Sequence, residues 1–284
     1  MSAATSAAVR ALGASAGGAS ASRLLALLYD PDVDIDRLLQ CLHGEPVLAA
    51  RVLKVANSPY YGQSGRVGSV QRALQLLGLT AIRGIAAAGA LDRLLPSKTG
   101  NPFDPVRFRR HSGAVACAAQ ALSRQAGCGV DSEAFLAGLL HDIGILLLVK
   151  ADPAAVASYR PDASCLPAEE AALEVRHFGL SHEEAGALLI DAWALPAWLK
   201  QAVATHHLAL EEPAAAAPLT GLAAIPALVA VADRLADLAG YGQWPRCAGL
   251  VEPAMLARLG MEPQQLQAVI DGLEPAVAAL GMDA

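Results

Sequence analysis

The sequence predicts an all-α protein, and three observations carry that prediction. Helix start and stop signals recur along all 284 residues. Period-two alternation rich in β-branched or aromatic residues, the mark of a half-buried strand, is almost absent, and aromatic residues make up only 4% of the chain. The composition is 54% hydrophobic, and a chain of this length buries a substantial core in two lobes without needing disulfides.

Taken in order, residues 1–20 are Ala, Ser and Gly with one arginine, Arg10, and lack the apolar core of a signal peptide, so a flexible or loosely helical arm is expected there. Asp34 is placed to cap Ile35 to His43, with Gly44 as the stop. Pro46 suits the first turn of a helix running towards Asn57, where Asn57-Ser58-Pro59 breaks it. Ser69 caps a short helix ending at Gly78, and Thr80 caps another that reaches Leu95 before Pro96. These helices form an amino-terminal lobe over residues 21–100. A second lobe, 101–240, opens with Asp104 and Pro105 on a long helix to about Ala126, and Asp131 is read as the cap of the next. Ser181-His182-Glu183-Glu184 has the form of a capping box, Pro196 opens a helix carrying His206 and His207, and Ile225 to Ala239 is a further helix. Two shorter helices in 241–284 are expected to pack on the second lobe. There is no internal repeat.

Composition excludes several function classes. A net charge of −6, with no basic cluster beyond Arg107, Arg109 and Arg110, offers little attraction to a phosphate backbone, so direct nucleic-acid binding is not expected. That arginine run reads as a solvated helix face. The uncharged stretch from Pro213 to Ala232 fails as a membrane span because Pro213, Pro218 and Pro226 interrupt it and it is mostly alanine. Five cysteines, Cys41, Cys117, Cys128, Cys165 and Cys247, never pair as CxxC; they point to a reducing, cytoplasmic setting and read as small buried side chains.

The chemistry gathers in the second lobe. Five of the seven histidines are His111, His141, His182, His206 and His207, while His43 and His177 read as surface or helix-end residues without function. His141-Asp142 lies in an apolar run from Phe135 to Ile145, where an adjacent imidazole and carboxylate have no reason to be buried unless something satisfies them. A divalent cation does so, and so does a closed hydrogen-bonded polar cluster. Neighbours on one helix diverge by about 100°, so other helices must complete a metal shell, with His111 and Asp233 as the natural contributors. His206-His207 fits either a second metal or a helix end where imidazole meets the last carbonyls.

A histidine, then His-Asp, then a distant aspartate is the motif of the HD superfamily of metal-dependent phosphohydrolases, which this sequence resembles over about half its length. Gly179 to Gly186 around His182, and Leu195-Pro196 running to His206-His207, are similar to the additional ligands of two-metal HD proteins, including HD-GYP phosphodiesterases. By that resemblance Asp142 bridges two cations, with His111, His141 and Asp233 on one and His182, His206 and His207 on the other. The donor set suits iron, manganese or zinc, as one or two ions. The segment from Glu45 through Pro46, Leu48, Leu53 and Ala56 to Asn57-Ser58-Pro59-Tyr60-Tyr61-Gly62, followed by Val67-Gly68-Ser69-Val70 and Ala73 to Gly78, is similar to the amino-terminal signature of HDOD domains. That resemblance covers residues 20 to 240 and implies an HD-superfamily-like helical bundle acting as a regulatory output of bacterial signalling. Asn57 and Ser58 suit backbone hydrogen bonds at a helix end; Tyr60 and Tyr61 either close over a groove between lobes or simply join a packed turn.

Departures from the hydrolase pattern bear on activity. Ile145 stands where HD-GYP proteins place the lysine of HDxGK, Arg107 stands where an acidic ligand is expected before His111, and no Gly-Tyr-Pro loop follows His207. A metal site without the cation that neutralises a phosphoryl group loses a large electrostatic contribution. The expected function is therefore a non-catalytic module that binds metal, or a small-molecule or nucleotide ligand, and acts through signalling partners. The alternatives are a metal-dependent phosphohydrolase acting on a nucleotide or phosphomonoester, and a scaffold with a structural metal. No DNA-binding, receiver or cyclase domain accompanies these lobes, so output is expected to pass through a separate protein.

Overall fold

The computed structural model describes residues 7, 11–12, 15–30, 32–58, 67–96, 103–159, 167–207, 219–242, 251 and 253–282. Among these residues there is no strand, and the all-α reading holds. The first group of helices is α1 (Ala16–Leu28), α2 (Ile35–His43), α3 (Pro46–Ala56) and α4 (Val70–Asp92). Residues 16–20, in the arm expected to be flexible or loosely helical, form the first turns of α1: the Ser15 hydroxyl accepts from the Gly18 amide, and Leu24, Leu25 and Leu28 anchor the helix in the core. Asp34 caps α2 through the Asp36 amide, and Ser69 caps α4 through the Arg72 amide. The break expected at Gly78 is present as a kink within α4, where Gly78 takes φ 78° and ψ 167°. The helix beyond it ends at Asp92 rather than Leu95, as Arg93 turns away to pair with Glu45.

Asn57 ends α3 by bridging backbone: its amide donates to Leu53 O and Val67 O, and its carbonyl accepts from the Val67 amide. Pro59, Tyr60, Tyr61 and Gly62, expected at a groove or turn, lie outside the described residues.

The second group comprises α5 (Pro105–Ala126), α6 (Asp131–Leu140), α7 (Ile143–Ala151), α8 (Pro153–Ser158), α9 (Pro167–Phe178), α10 (His182–Ala192) and α11 (Ala197–Thr205), a 3₁₀ turn (Gly221–Ala224), and α12 (Ile225–Leu238). Asp104 caps α5 as expected, but Asp131 does not cap α6. Its carboxylate accepts from Ser123 Oγ and Arg124 Nε instead, tying the turn to the end of α5. The Ser181/Glu184 capping box of α10 is complete. The helix α5 packs most extensively on α6 and α12, and α7 on α10. From Ile143 to Val149 every residue of α7 is buried, as expected of a helix apolar on all sides.

Two helices follow, α13 (Pro253–Arg258) and α14 (Gln264–Ala279). The latter has 16 residues and is not short. It packs on α5, and the segment after it also holds the first group: Arg51 donates from Nε and Nη2 to Leu280 O at 3.1 and 3.0 Å, while pairing with Asp92. Met282 fills the space beside Gly113, two residues from His111.

Val70–Asp92 and Asp131–Ala151 are long and apolar enough to cross a membrane by length and composition. The second has 89% of its apolar window buried inside the protein, and the first carries the Gly78 kink. The earlier candidate, Pro213 to Ala232, is described only from Leu219, where it forms the 3₁₀ turn and the start of α12. Of the cysteines, Cys128 is buried but Cys41 and Cys117 are only half-buried; Cys165 and Cys247 lie outside the described residues.

Candidate metal centre

His141 and Asp142 do not sit within one continuous helix. They form the turn between α6 and α7, with His141 as the last cap of one and Asp142 as the first of the other. That break lets both side chains face the same point.

Two close helix approaches set the rest. A Cβ on Gly138 would lie 2.8 Å from Val115 O, so α5 and α6 meet backbone to backbone, bringing His111 Nε2 within 3.3 Å of His141 Nε2. A Cβ on Gly144 would lie 1.9 Å from His182 O and 2.5 Å from the Gly186 amide nitrogen. This second approach seats the start of α10 against α7 and delivers His182 to Asp142.

All seven sequence-derived residues converge, and each is 5% exposed or less. Asp142 Oδ2 is 3.4 Å from His141 Nε2 and 3.6 Å from His111 Nε2, while Oδ1 is 3.4 Å from His182 Nε2 and 3.8 Å from His206 Nε2. Asp233 Oδ1 is 3.1 Å from His111 Nε2. The other Asp233 oxygen lies 3.8 Å from His207 Nε2. His111, His141 and Asp233 form one compact donor group, and His182, His206 and His207 another, with one Asp142 oxygen directed at each.

The outer ring nitrogens explain why the inner ones converge. His141 Nδ1 donates to Gly138 O, and His206 Nδ1 to Val203 O, both at 2.8 Å. A neutral imidazole bonded in this way presents Nε2 as a bare lone pair, which is the form a metal takes. Carboxylates serve the others: His182 Nδ1 donates to Glu174 at 2.7 Å and His207 Nδ1 to Glu183 at 3.1 Å. Sequence reasoning missed both glutamates. Glu183 was visible only as part of the capping box, and Glu174 lies on α9 with no spacing signal to connect it.

The electrostatics follow from this crowding. Burial opposes a charge on His141, but Asp142 and Asp233 overcome it and push its pKa up to about 10. Burial likewise opposes a charge on His182 and His207; Glu174 and Glu183 raise the first, and hydrogen bonds with Asp233 and Glu183 raise the second. His206 goes the other way, lowered by burial and by its neighbours His207, His141 and His182. Asp233, despite burial, is held well below the usual carboxylate range by His111, His141 and His207. Seven donors so arranged, with four imidazole Nε2 atoms in facing pairs, fit one or two divalent transition metals.

His43 and His177 lie apart from the seven converging residues. His177 meets the Phe178 ring edge-on and hydrogen-bonds Ala155 O, and His43 is an exposed helix end. Arg107 is exposed, whereas Arg109 is half-buried near Asp92 and Arg110 lies over the Tyr241 ring, so the run is not wholly solvated.

Relatives share this architecture. A Shewanella amazonensis SB2B protein named for an inferred phosphohydrolase activity superposes with a TM-score of 0.69 at 24% identity, over 100% of this chain and 99% of its own. A Marinobacter aquaeolei VT8 protein named for an inferred role in signal transduction gives 0.68 at 23% identity, over 96% of this chain and 60% of its own. An uncharacterized Treponema pallidum (strain Nichols) protein is 23% identical over 181 residues, a match spanning 63% of this chain and 35% of that relative. The sequence profile of the HDOD domain matches residues 18–209. With more than half of its length under that profile, the chain belongs to the HDOD domain family.

Proposed function

We propose that this protein is a regulatory module whose HD-type centre holds one or two divalent transition-metal ions, iron, manganese or zinc, and which signals through protein partners rather than by turnover. The ligands are His111, His141 and Asp233 on one side, His182, His206 and His207 on the other, and Asp142 between them. Residues 21–240 form the regulatory unit, with 241–284 packed against its second lobe, and the setting is cytoplasmic. The partners are signalling proteins, with a small molecule or nucleotide as a possible ligand.

One observation carries the reading: every candidate ligand is 5% exposed or less, and Ile145, 4% exposed, occupies the position that hydrolytic relatives give to a phosphate-holding lysine. A bound metal would supply a polarised water, but phosphoryl transfer also requires a positioned cation and a shaped pocket for the leaving group. Ile145 offers only an aliphatic chain. The donor set itself, and the Shewanella neighbour's name, favour the second reading, a phosphohydrolase acting on a nucleotide or phosphomonoester. The test is turnover of a panel of phosphomonoesters and cyclic dinucleotides by fully metallated protein and by Asp142→Ala. The regulatory reading expects no difference. Rates near about 1 per second or more, in the ordinary enzyme range, would establish the hydrolase instead.

A further inference from the structure

The two halves of the centre draw negative charge from different places. In the first, Asp142 and Asp233 face the histidines directly. In the second, Asp142 and Asp233 each turn one oxygen towards the inner ring nitrogens, and further charge stands behind the imidazoles, on Glu174 and Glu183. Both glutamates are buried, at 2% and 7% exposure. Glu174 Oε2 accepts from the His182 backbone amide and from His182 Nδ1, both at 2.7 Å. Glu183 Oε1 accepts from His207 Nδ1 at 3.1 Å, while its Oε2 is buried without a hydrogen-bond partner among the described residues, 3.7 Å from His182 Nδ1.

An ionised carboxylate is not buried at such cost without a compensating positive charge. Asp142, Asp233, Glu174 and Glu183 gather four carboxylates around the five imidazoles; without metal, the raised pKa values of His141, His182 and His207 offset their charge, and two divalent cations would take over that role. Asp237, the next acidic group, is 3.9 Å from His111 Nδ1, too far for a hydrogen bond, and less deeply buried.

We propose that Glu174 and Glu183 are positioning residues for a second divalent cation at His182, His206 and His207, fixing the ring orientation of His182 and His207 and balancing the charge of a two-cation centre. The inference rests on the metal-binding part of the proposed function. It assigns the two glutamates no direct contact with the cation: Glu174 Oε2 already accepts two hydrogen bonds, and Glu183 faces the outer nitrogen of His207. Carboxylates in this relation to metal-bound histidines are typically worth about 10–100-fold in metal affinity.

The experiment titrates Co(II) into metal-stripped wild type, Glu174→Gln, Glu183→Gln and, as a control at an exposed ion pair, Asp191→Asn, following heat and visible absorption. Wild type and the control are expected to take two equivalents. The two glutamine variants should bind the second about 10–100-fold more weakly and leave the first within about threefold. Unchanged affinity for both equivalents, or equal loss of both in a variant that stays folded by circular dichroism, overturns the proposal. Should the variants fail to fold, imidazole NMR of wild type loaded with Zn(II) decides: the Nδ1 protons of His182 and His207 are expected to persist at two equivalents. Their loss, or uptake of a third ion, would make the glutamates ligands and overturn the proposal. A wild type that binds no metal removes the metal reading as well, whereas two ions with indifferent glutamates removes only this inference.

Discussion

The aspartate half and the histidine half of the centre reach similar burial by different construction. The aspartate half is assembled by α5 and α12, whose long packed faces fix His111 and Asp233, together with His141 at the end of α6. The histidine half is assembled at helix ends: His182 opens α10, His206 caps α11, and His207 lies just beyond. His111 and Asp233, inside helices, are oriented by the packing of a whole face, whereas His141 and all three histidines of the second half lie at helix ends and depend on individual hydrogen bonds. This explains why the second half carries two buried glutamates and the first needs none behind it. The difference also suggests that the second half is the weaker and more adjustable one.

The largest expected effect removes the contrast altogether. Asp142 directs one oxygen to each half, so Asp142→Ala should abolish metal retention on both sides and lower the melting temperature of protein prepared with metal. Elemental analysis and a thermal melt check it. Retention of one full equivalent would mean that a half stands without the bridge.

The second effect separates the halves. Gly144→Ala places a methyl group within 1.9 Å of His182 O and must push α10 away from α7, whereas His111, His141 and Asp233 are held by contacts elsewhere. Overpacking of this kind typically costs about 1–3 kcal/mol, or more where backbone is involved. Titration should show the second equivalent lost and the first kept. Loss of the first alone would reverse the assignment.

How much of this was legible in the sequence differs between the halves for the same reason. The motif residues announced themselves as polar groups in apolar helices, and all seven do come together. The helix punctuation at Asp34, Ser69, Asp104 and Ser181 was also readable, because a cap is a local event. Asp131 was misread since a side chain from the preceding helix, Ser123, competes for it, and such tertiary competition leaves no local trace. The turn at His141-Asp142 was hidden because the apolar run continues through it. Glu174 and Glu183 went unread because charged residues on a helix are usually solvated, and nothing in their spacing distinguishes them from Glu184, which does cap α10.

The third effect is a pH dependence. In metal-free protein the pKa of His141 is raised above its ordinary value of 6.5 to about 10, so its stabilising contribution is fully present below about 6.5 and is lost as pH rises through about 10. Metal competes with that proton, and uptake releases it. Metal-free protein should therefore lose stability from pH 6 towards 10 while metal affinity rises, by about tenfold per pH unit for each proton displaced. Melting curves with and without metal across this range measure both. Affinity independent of pH would mean that the histidines are already neutral without metal.

The smallest effect is expected at Arg107, which stands where hydrolytic relatives place an acidic ligand but is exposed here. Arg107→Ala should change the melting temperature by no more than a surface substitution does, within about 0.5 kcal/mol, and leave metal content unaltered. A drop in bound metal would bring this position into the centre.

The central claim is that the seven buried groups form a metal site, and metal content measures it most directly. Protein purified without chelator and reconstituted under anaerobic conditions should carry between one and two equivalents of a transition metal by elemental analysis. Less than about a tenth of an equivalent, with none retained on reconstitution, would contradict the account and leave the cluster as a hydrogen-bonded polar core, against the expected cost of burying so many ionisable groups without a cation.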